Sequence, residues 1–118
     1  MTEKSYEEQV DDAKARVIEV TPLQAMNERS ADTLFLDVRE ANEWNLARIT
    51  GAVHIPLGQV ASKIEDVAAT DRKIVIYCSR GNRSALAADA MMRSGYTNVA
   101  SMSAGIRGWM DAGGEIES

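Results

Sequence analysis

Apolar residues recur along this chain in two rhythms, one of helical spacing and one of short, nearly unbroken runs, and the two alternate from end to end. From about Ser5 to Arg16 the segment is charged, yet Tyr6, Val10, Ala13 and Val17 fall at helical spacing. That predicts a short amphipathic helix packed on the rest of the chain, with a frayed tail as the alternative. Val17-Ile18-Glu19-Val20 reads as a strand, and Thr21-Pro22 then offers an N-cap with proline at the first helical position for a helix to about Glu28. Leu34-Phe35-Leu36-Asp37-Val38 is a near-continuous run, which suits a strand buried on both faces. Ala41 to Leu46 reads as a helical turn or short helix, and residues 51–56 as a loop feeding a brief strand stopped by Pro56. Leu57, Val60, Ala61, Ile64 and Val67 share one helical face. Lys73 to Tyr77 is again a strand. A helix from Ser84 to Ser94 follows, with Leu86, Ala87, Ala90 and Met91 as its stripe and Gly95 where a left-handed cap is expected. Val99 to Met102 closes the strands and Ile106 to Ala112 the helices.

Strands and helices that alternate with short connections favour a parallel sheet covered by helices on both faces. In such sheets sites form at the carboxyl ends of the strands, and Cys78 ends its strand at that edge. Residues 1–16 are expected as a helical extension and residues 17–118 as the domain proper.

The length, 118 residues, fits one domain able to bury a core without disulfides or metal, and the single cysteine can form no internal bridge. The 45% hydrophobic content comes without a long apolar run, and the start Met1-Thr2-Glu3-Lys4 is polar, so neither a signal peptide nor a membrane span is expected. A reducing cytoplasm, the default setting, would keep Cys78 a thiol. A net charge of -5 excludes nonspecific nucleic-acid or anionic-membrane binding as the main function. Locally the sign reverses, because Arg80 and Arg83 flank a loop of backbone donors and form a small cationic cup for an anion. His54 is the only histidine and Cys78 the only cysteine, so neither a multi-His metal site nor a zinc constellation is expected, and no cofactor is expected.

Cys78 carries the chemistry in this reading. A sulfur at a helix N-terminus meets the positive end of the helix dipole and unpaired N–H groups, here with two arginines in the same turn, and all of these lower a thiol pKa.

Three segments together resemble the rhodanese family of sulfurtransferases, over roughly residues 17–117. They are Leu36-Asp37-Val38-Arg39-Glu40 with Glu43-Trp44 and the Gly51 to Pro56 segment; Tyr77-Cys78-Ser79-Arg80-Gly81-Asn82-Arg83-Ser84; and Ala104-Gly105-Ile106-Arg107-Gly108-Trp109 followed by Gly113. The chain departs from the common pattern at Ala47-Arg48, where Gly-His is usual, and at Ile106, where a second glycine is usual. The resemblance implies a five-stranded parallel sheet with helices on both faces and an active loop wrapped around the cysteine sulfur. It also implies that Cys78 takes the outer sulfur of a small anionic donor such as thiosulfate, becomes a persulfide, and passes the sulfur to cyanide or a thiol. Thioredoxin-like proteins, glutathione and a sulfur-accepting protein are the thiol acceptors considered.

In this scheme the N–H groups from Ser79 to Ser84 surround the anionic sulfur, and Gly81 lets the backbone curl closely. Arg80 at the loop tip is expected to contact the donor, while Arg83 either contacts it or anchors the loop through a carboxylate. Ser84 is expected to be the helix N-cap and a hydroxyl donor near the sulfur, and Asn82 a loop residue tolerant of unusual backbone angles. Asp37 and Arg39 are expected to brace the site from the neighbouring strand. His54, Trp44 and Trp109 are expected to pack rather than react, because a preformed thiolate needs no base, and Met91-Met92 reads as ordinary helix packing. Two alternatives stand beside this one. The first is a sulfur-carrier or partner-binding rhodanese module with little turnover. The second is a cysteine phosphatase or arsenate reductase of similar fold, disfavoured because those enzymes use a longer loop than the four residues, Ser79 to Asn82, between Cys78 and Arg83.

Overall fold

A computed structural model of the protein describes residues 3–118. Helix α1 (Tyr6–Arg16) starts at a capping box in which the Ser5 hydroxyl accepts from the Glu8 N–H and the Glu8 carboxylate accepts from the Ser5 N–H. Strand β1 (Glu19–Val20) leads through a second box, Thr21 with Gln24, into α2 (Pro22–Glu28). Strand β2 (Leu34–Asp37), α3 (Ala41–Leu46), β3 (Arg48–Ile49) and β4 (Val53–His54) follow. A 3-10 turn over Leu57–Gln59 enters α4 (Val60–Val67), and β5 (Ile74–Tyr77), α5 (Asn82–Arg93), β6 (Val99–Met102), α6 (Gly105–Asp111) and β7 (Ile116–Glu117) complete the order.

Five strands form one parallel sheet in the order β1-β6-β5-β2-β4, with Leu34 to Asp37 in register against Ile74 to Tyr77. The fold is the expected α/β sheet. Because side chains alternate across a strand, Leu34, Leu36, Ile74 and Ile76 enter the core under α4 and α5, with Val60, Ile64, Ala88 and Met91. Phe35, Val75 and Tyr77 enter the opposite core under α2 and α6, with Ala25, Ile106 and Trp109. Both faces being covered explains why the central runs are apolar without alternation.

The structure departs from the sequence expectations in several places. Helix α5 begins at Asn82, two residues before Ser84, with Gly81 as its N-cap at φ 102°. Gly81 takes the unusual backbone angle, and Asn82 is the first helical residue. Ala61 and Val67 of the expected α4 stripe are exposed, while Val60 and Ile64 carry the burial. Met91 is buried but Met92 is partly exposed. On α5 the buried residues include Ala85 and Asp89 besides Ala87 and Met91, because α1 covers a second side of that helix through Val10 and Ala13. An additional antiparallel pair, β3 with β7, has no counterpart in the sequence pattern, as two-residue strands carry no readable period. Gly95, at φ 99°, ends α5 in a Schellman motif: the Gly95 N–H donates to the Met92 carbonyl and the Tyr96 N–H to that of Met91.

Candidate active site

Cys78 follows the last residue of β5, at the carboxyl edge of the sheet. The residue is 1% exposed, and the Gly81 N–H donates to its Sγ at 3.1 Å. The loop curls this tightly because Gly81 sits in the left-handed region, where a side chain would be strained and would also approach the Ala104 nitrogen to 3.3 Å.

Helix α6 holds the loop from behind. Its first N–H groups donate outward, Ile106 to the Cys78 carbonyl at 2.8 Å and Arg107 to the Ser79 carbonyl at 3.3 Å. In a trans peptide the carbonyl and the following N–H point in opposite directions, so tying back the Ser79 carbonyl turns the Arg80 N–H toward the sulfur. This contact leaves no room for a side chain at Gly105, where a Cβ would lie 2.4 Å from the Cys78 carbonyl oxygen. The departure to Ile106 is harmless to it, since that side chain is buried in the core under α6.

Burial pushes the Cys78 thiol pKa up, but the Ser84 hydroxyl and the N–H groups of Ser84, Gly81 and Arg80 favour the thiolate more strongly, and the net direction is down. Ser84 is therefore not the helix cap. It sits in the first turn of α5, fully buried, with Oγ 3.6 Å from Cys78 Sγ and 2.8 Å from the Ser101 hydroxyl of β6. Ser101 had no role in the sequence reading, for nothing in the order of residues shows that β6 lies beside β5.

Arg83 is committed to a carboxylate. Its Nη1 and Nη2 donate to Glu43 Oε1 at 2.7 Å and Oε2 at 3.0 Å, and the Ser79 hydroxyl donates to Oε2 at 2.9 Å. The Arg83 guanidinium holds Glu43 down to a pKa of about 2. Glu43 belongs to the quoted motif but carried no assigned role, because its partner lies 40 residues away in the chain. The pair ties α3 to the active loop. Arg80 remains exposed and makes no ion pair among the described residues. It lines a pocket of about 260 Å³ with Tyr6, Cys78, Ser79, Asn82 and Arg83.

Asp37 and Arg39 lie at the end of the adjacent β2, both buried. The Arg39 Nη2 donates to Asp37 Oδ2 at 2.7 Å and to the Ala47 carbonyl at 2.6 Å, so the pair fixes the end of α3 against the sheet without lining the pocket. His54 Nε2 lies 2.7 Å from the Arg39 carbonyl, and its ring stacks on Trp44 at 4.9 Å. Arg48, at the departure from the common Gly-His, covers Trp44 with its guanidinium 4.7 Å from the ring centroid. Trp109 is buried edge-on to Phe35. These aromatic groups pack.

A parallel sheet whose carboxyl edge carries a buried cysteine, cradled by the N–H groups of a short loop, defines a class of cysteine-dependent α/β proteins. Residues 19–112 match the profile of the rhodanese-like domain, and the chain belongs to that family. It is 31% identical over 101 residues to the thiosulfate sulfurtransferase GlpE of Actinobacillus succinogenes, an alignment covering 85% of this chain and 90% of that one. It is 42% identical over 74 residues to YrkF of Bacillus subtilis, a proposed sulfur carrier, covering 63% of this chain but only 40% of YrkF. Among solved structures, a protein of unknown function from Rhodopseudomonas palustris, described as a possible tyrosine phosphatase, superposes with a TM-score of 0.85 at 26% identity and covers 99% of this chain and 97% of its own. A rhodanese-related protein from Thermoplasma volcanium gives a TM-score of 0.75 at 25% identity, covering 85% and 97%.

Proposed function

We propose that this protein is a sulfurtransferase that moves sulfane sulfur through a persulfide on Cys78. The observation that carries the reading is the convergence of the Gly81 and Arg80 N–H groups and the Ser84 hydroxyl and N–H on one buried sulfur whose thiolate they favour. The Cys78 thiolate attacks the outer sulfur of thiosulfate or of a persulfide donor. The sulfur–sulfur bond of the donor breaks, its electron pair leaves on sulfite or on the donor thiolate, and Cys78 keeps the sulfur as an anionic persulfide. An acceptor thiolate or cyanide then attacks that outer sulfur, and the electron pair returns to Cys78 Sγ. The donors that favour the thiolate also stabilise Cys78 Sγ as the leaving group of the second displacement, and the whole is covalent catalysis in two displacements. In this reading Arg80, which lines the pocket and makes no ion pair among the described residues, binds the oxyanion end of the donor.

The similarity to GlpE supports this reading, and that to YrkF supports a second one, a carrier that loads sulfur and passes it only to a dedicated protein. Phosphatase chemistry is opposed by the fork of Arg83 on Glu43, which occupies the guanidinium edges that would bind two phosphoryl oxygens. Intact mass after thiosulfate treatment tests the reading. Wild type gains one sulfur and loses it to cyanide or a dithiol; equal loading of Cys78→Ser would remove Cys78 from the reaction. Repeated turnover with cyanide separates the enzyme from the carrier, and aryl phosphate hydrolysis matching sulfur transfer would overturn both.

A further inference from the structure

Helix α1 lies outside residues 19–112 that match the family profile, yet it supplies a wall of the Cys78 pocket. Two sets of contacts hold it on the domain, and its own cap sets its start. Val10 and Ala13 are buried, the Ser5–Glu8 box sets the first turn, and at the far end Arg16 forks onto Asp89 of α5 at 2.9 and 2.7 Å. Asp89 is 5% exposed with α1 in place, so undocking α1 would open that side of α5 to water and leave the carboxylate with only the 3.5 Å contact of Arg93. The helix therefore holds Tyr6 at the mouth of the pocket, although the tyrosine itself is 52% exposed. Tyr6 also lines a second depression of about 180 Å³ with Glu7, Val10, Asp11, Lys14 and Asn82. Tyr6 is thus shared by both depressions.

We propose that Tyr6 is a specificity-determining residue whose ring limits the size of the molecule that reaches Cys78 Sγ. The pocket, about 260 Å³, lies below the range of roughly 300–1,000 Å³ usual for drug-sized ligands. Cys78 is 1% exposed, so a reacting atom reaches it through the pocket, of which Tyr6 forms one wall, rather than at the open surface. Thiosulfate, cyanide and a narrow thiol fit this entrance; a bulky thiol, or a cysteine set flat in a folded surface, does not. Low-molecular-weight thiols are thus the acceptor class, a consequence that rests on the sulfurtransferase reading, whereas the access limit rests on geometry alone.

Alkylation of Cys78 by a small reagent, iodoacetamide, and a bulky one, fluorescein maleimide, tests the limit directly. Their rate ratio cancels any change in the thiolate fraction, since both react with the same ionised sulfur. Tyr6→Ala, a change at a half-exposed position that leaves the core intact, raises the bulky-to-small ratio about tenfold. Tyr6→Phe keeps the wild-type ratio, because the ring forms the wall. An unchanged ratio in Tyr6→Ala, or a Tyr6→Phe variant that behaves like it, would overturn the proposal. Thiosulfate loading read by intact mass on the same samples keeps the two ideas apart: a size-dependent ratio in a chain that never gains sulfur retains the wall and removes the sulfurtransferase reading.

Discussion

At the scale of single residues, the site depends on a few hydrogen bonds to one sulfur and one carboxylate. Ser84→Ala removes a donor to the thiolate, so the Cys78 pKa rises. The pH dependence of iodoacetamide alkylation reads this, its midpoint moving upward; an unmoved midpoint would take the hydroxyl out of the account. Glu43→Gln loosens the loop and lowers stability by about 1–2 kcal/mol. Its pH dependence has a definite sign. The carboxyl is depressed from 4.5 to about 2 in the folded protein, so its contribution is complete above pH 4.5 and fades as pH falls toward 2. The melting-temperature gap between wild type and Glu43→Gln should narrow across that window and stay constant from pH 5 to 7, where a widening gap on acidification would contradict the assignment. If Arg80 binds the donor as proposed, Arg80→Ala should raise the thiosulfate KM more than it slows transfer from a preformed persulfide.

At the scale of elements, the start of α6 shapes the loop at the start of α5. Gly105→Ala drives a methyl into the Cys78 and Ser79 carbonyl groups, within 2.4 Å of backbone that cannot retreat without releasing the Arg80 N–H. Persulfide loading should fall by tenfold or more, with a loss of over about 2 kcal/mol in denaturant unfolding. Its neighbour Ala104 holds φ 64°, the one described non-glycine residue in the left-handed region. Ala104→Gly relieves that strain and should stabilise the chain by up to about 1 kcal/mol. A destabilised Ala104→Gly, measured in the same unfolding series, would show that the methyl packs more usefully than its backbone angle costs.

At the scale of the whole molecule, two cores on either side of one parallel sheet carry the fold, and α1 is an added layer over α5. A chain of residues 17–118 should fold by itself, since both cores lie almost entirely within it. It should melt at least about 5 °C lower, because Asp89 loses the fork of Arg16 and the side of α5 under Val10 and Ala13 meets water. Circular dichroism decides this: an unfolded 17–118 chain would make α1 part of the folding unit.

The alternation of runs and helical stripes determined the parallel sheet, and the strand-to-loop position of Cys78 with its glycine and arginines determined where to look for the chemistry, because both are carried by neighbours in the chain. Cap residues with local partners, Thr21 and Gly95, were legible for the same reason. What tertiary structure decided was each role that needs a partner from another element. Ser84 looked like a cap from its order but became a donor to the sulfur, since Gly81 starts the helix earlier and Ser101 arrives from β6. Arg83 could have served substrate or loop until Glu43, carried in by α3, occupied its guanidinium. Tyr6 read as one apolar residue on a helix stripe, and only the docking of α1 through Arg16 and Asp89 brought it to the pocket. Local preference acts over a few residues and is written in their sequence, whereas burial and ion pairing act through space and exist only once the sheet has brought distant segments together.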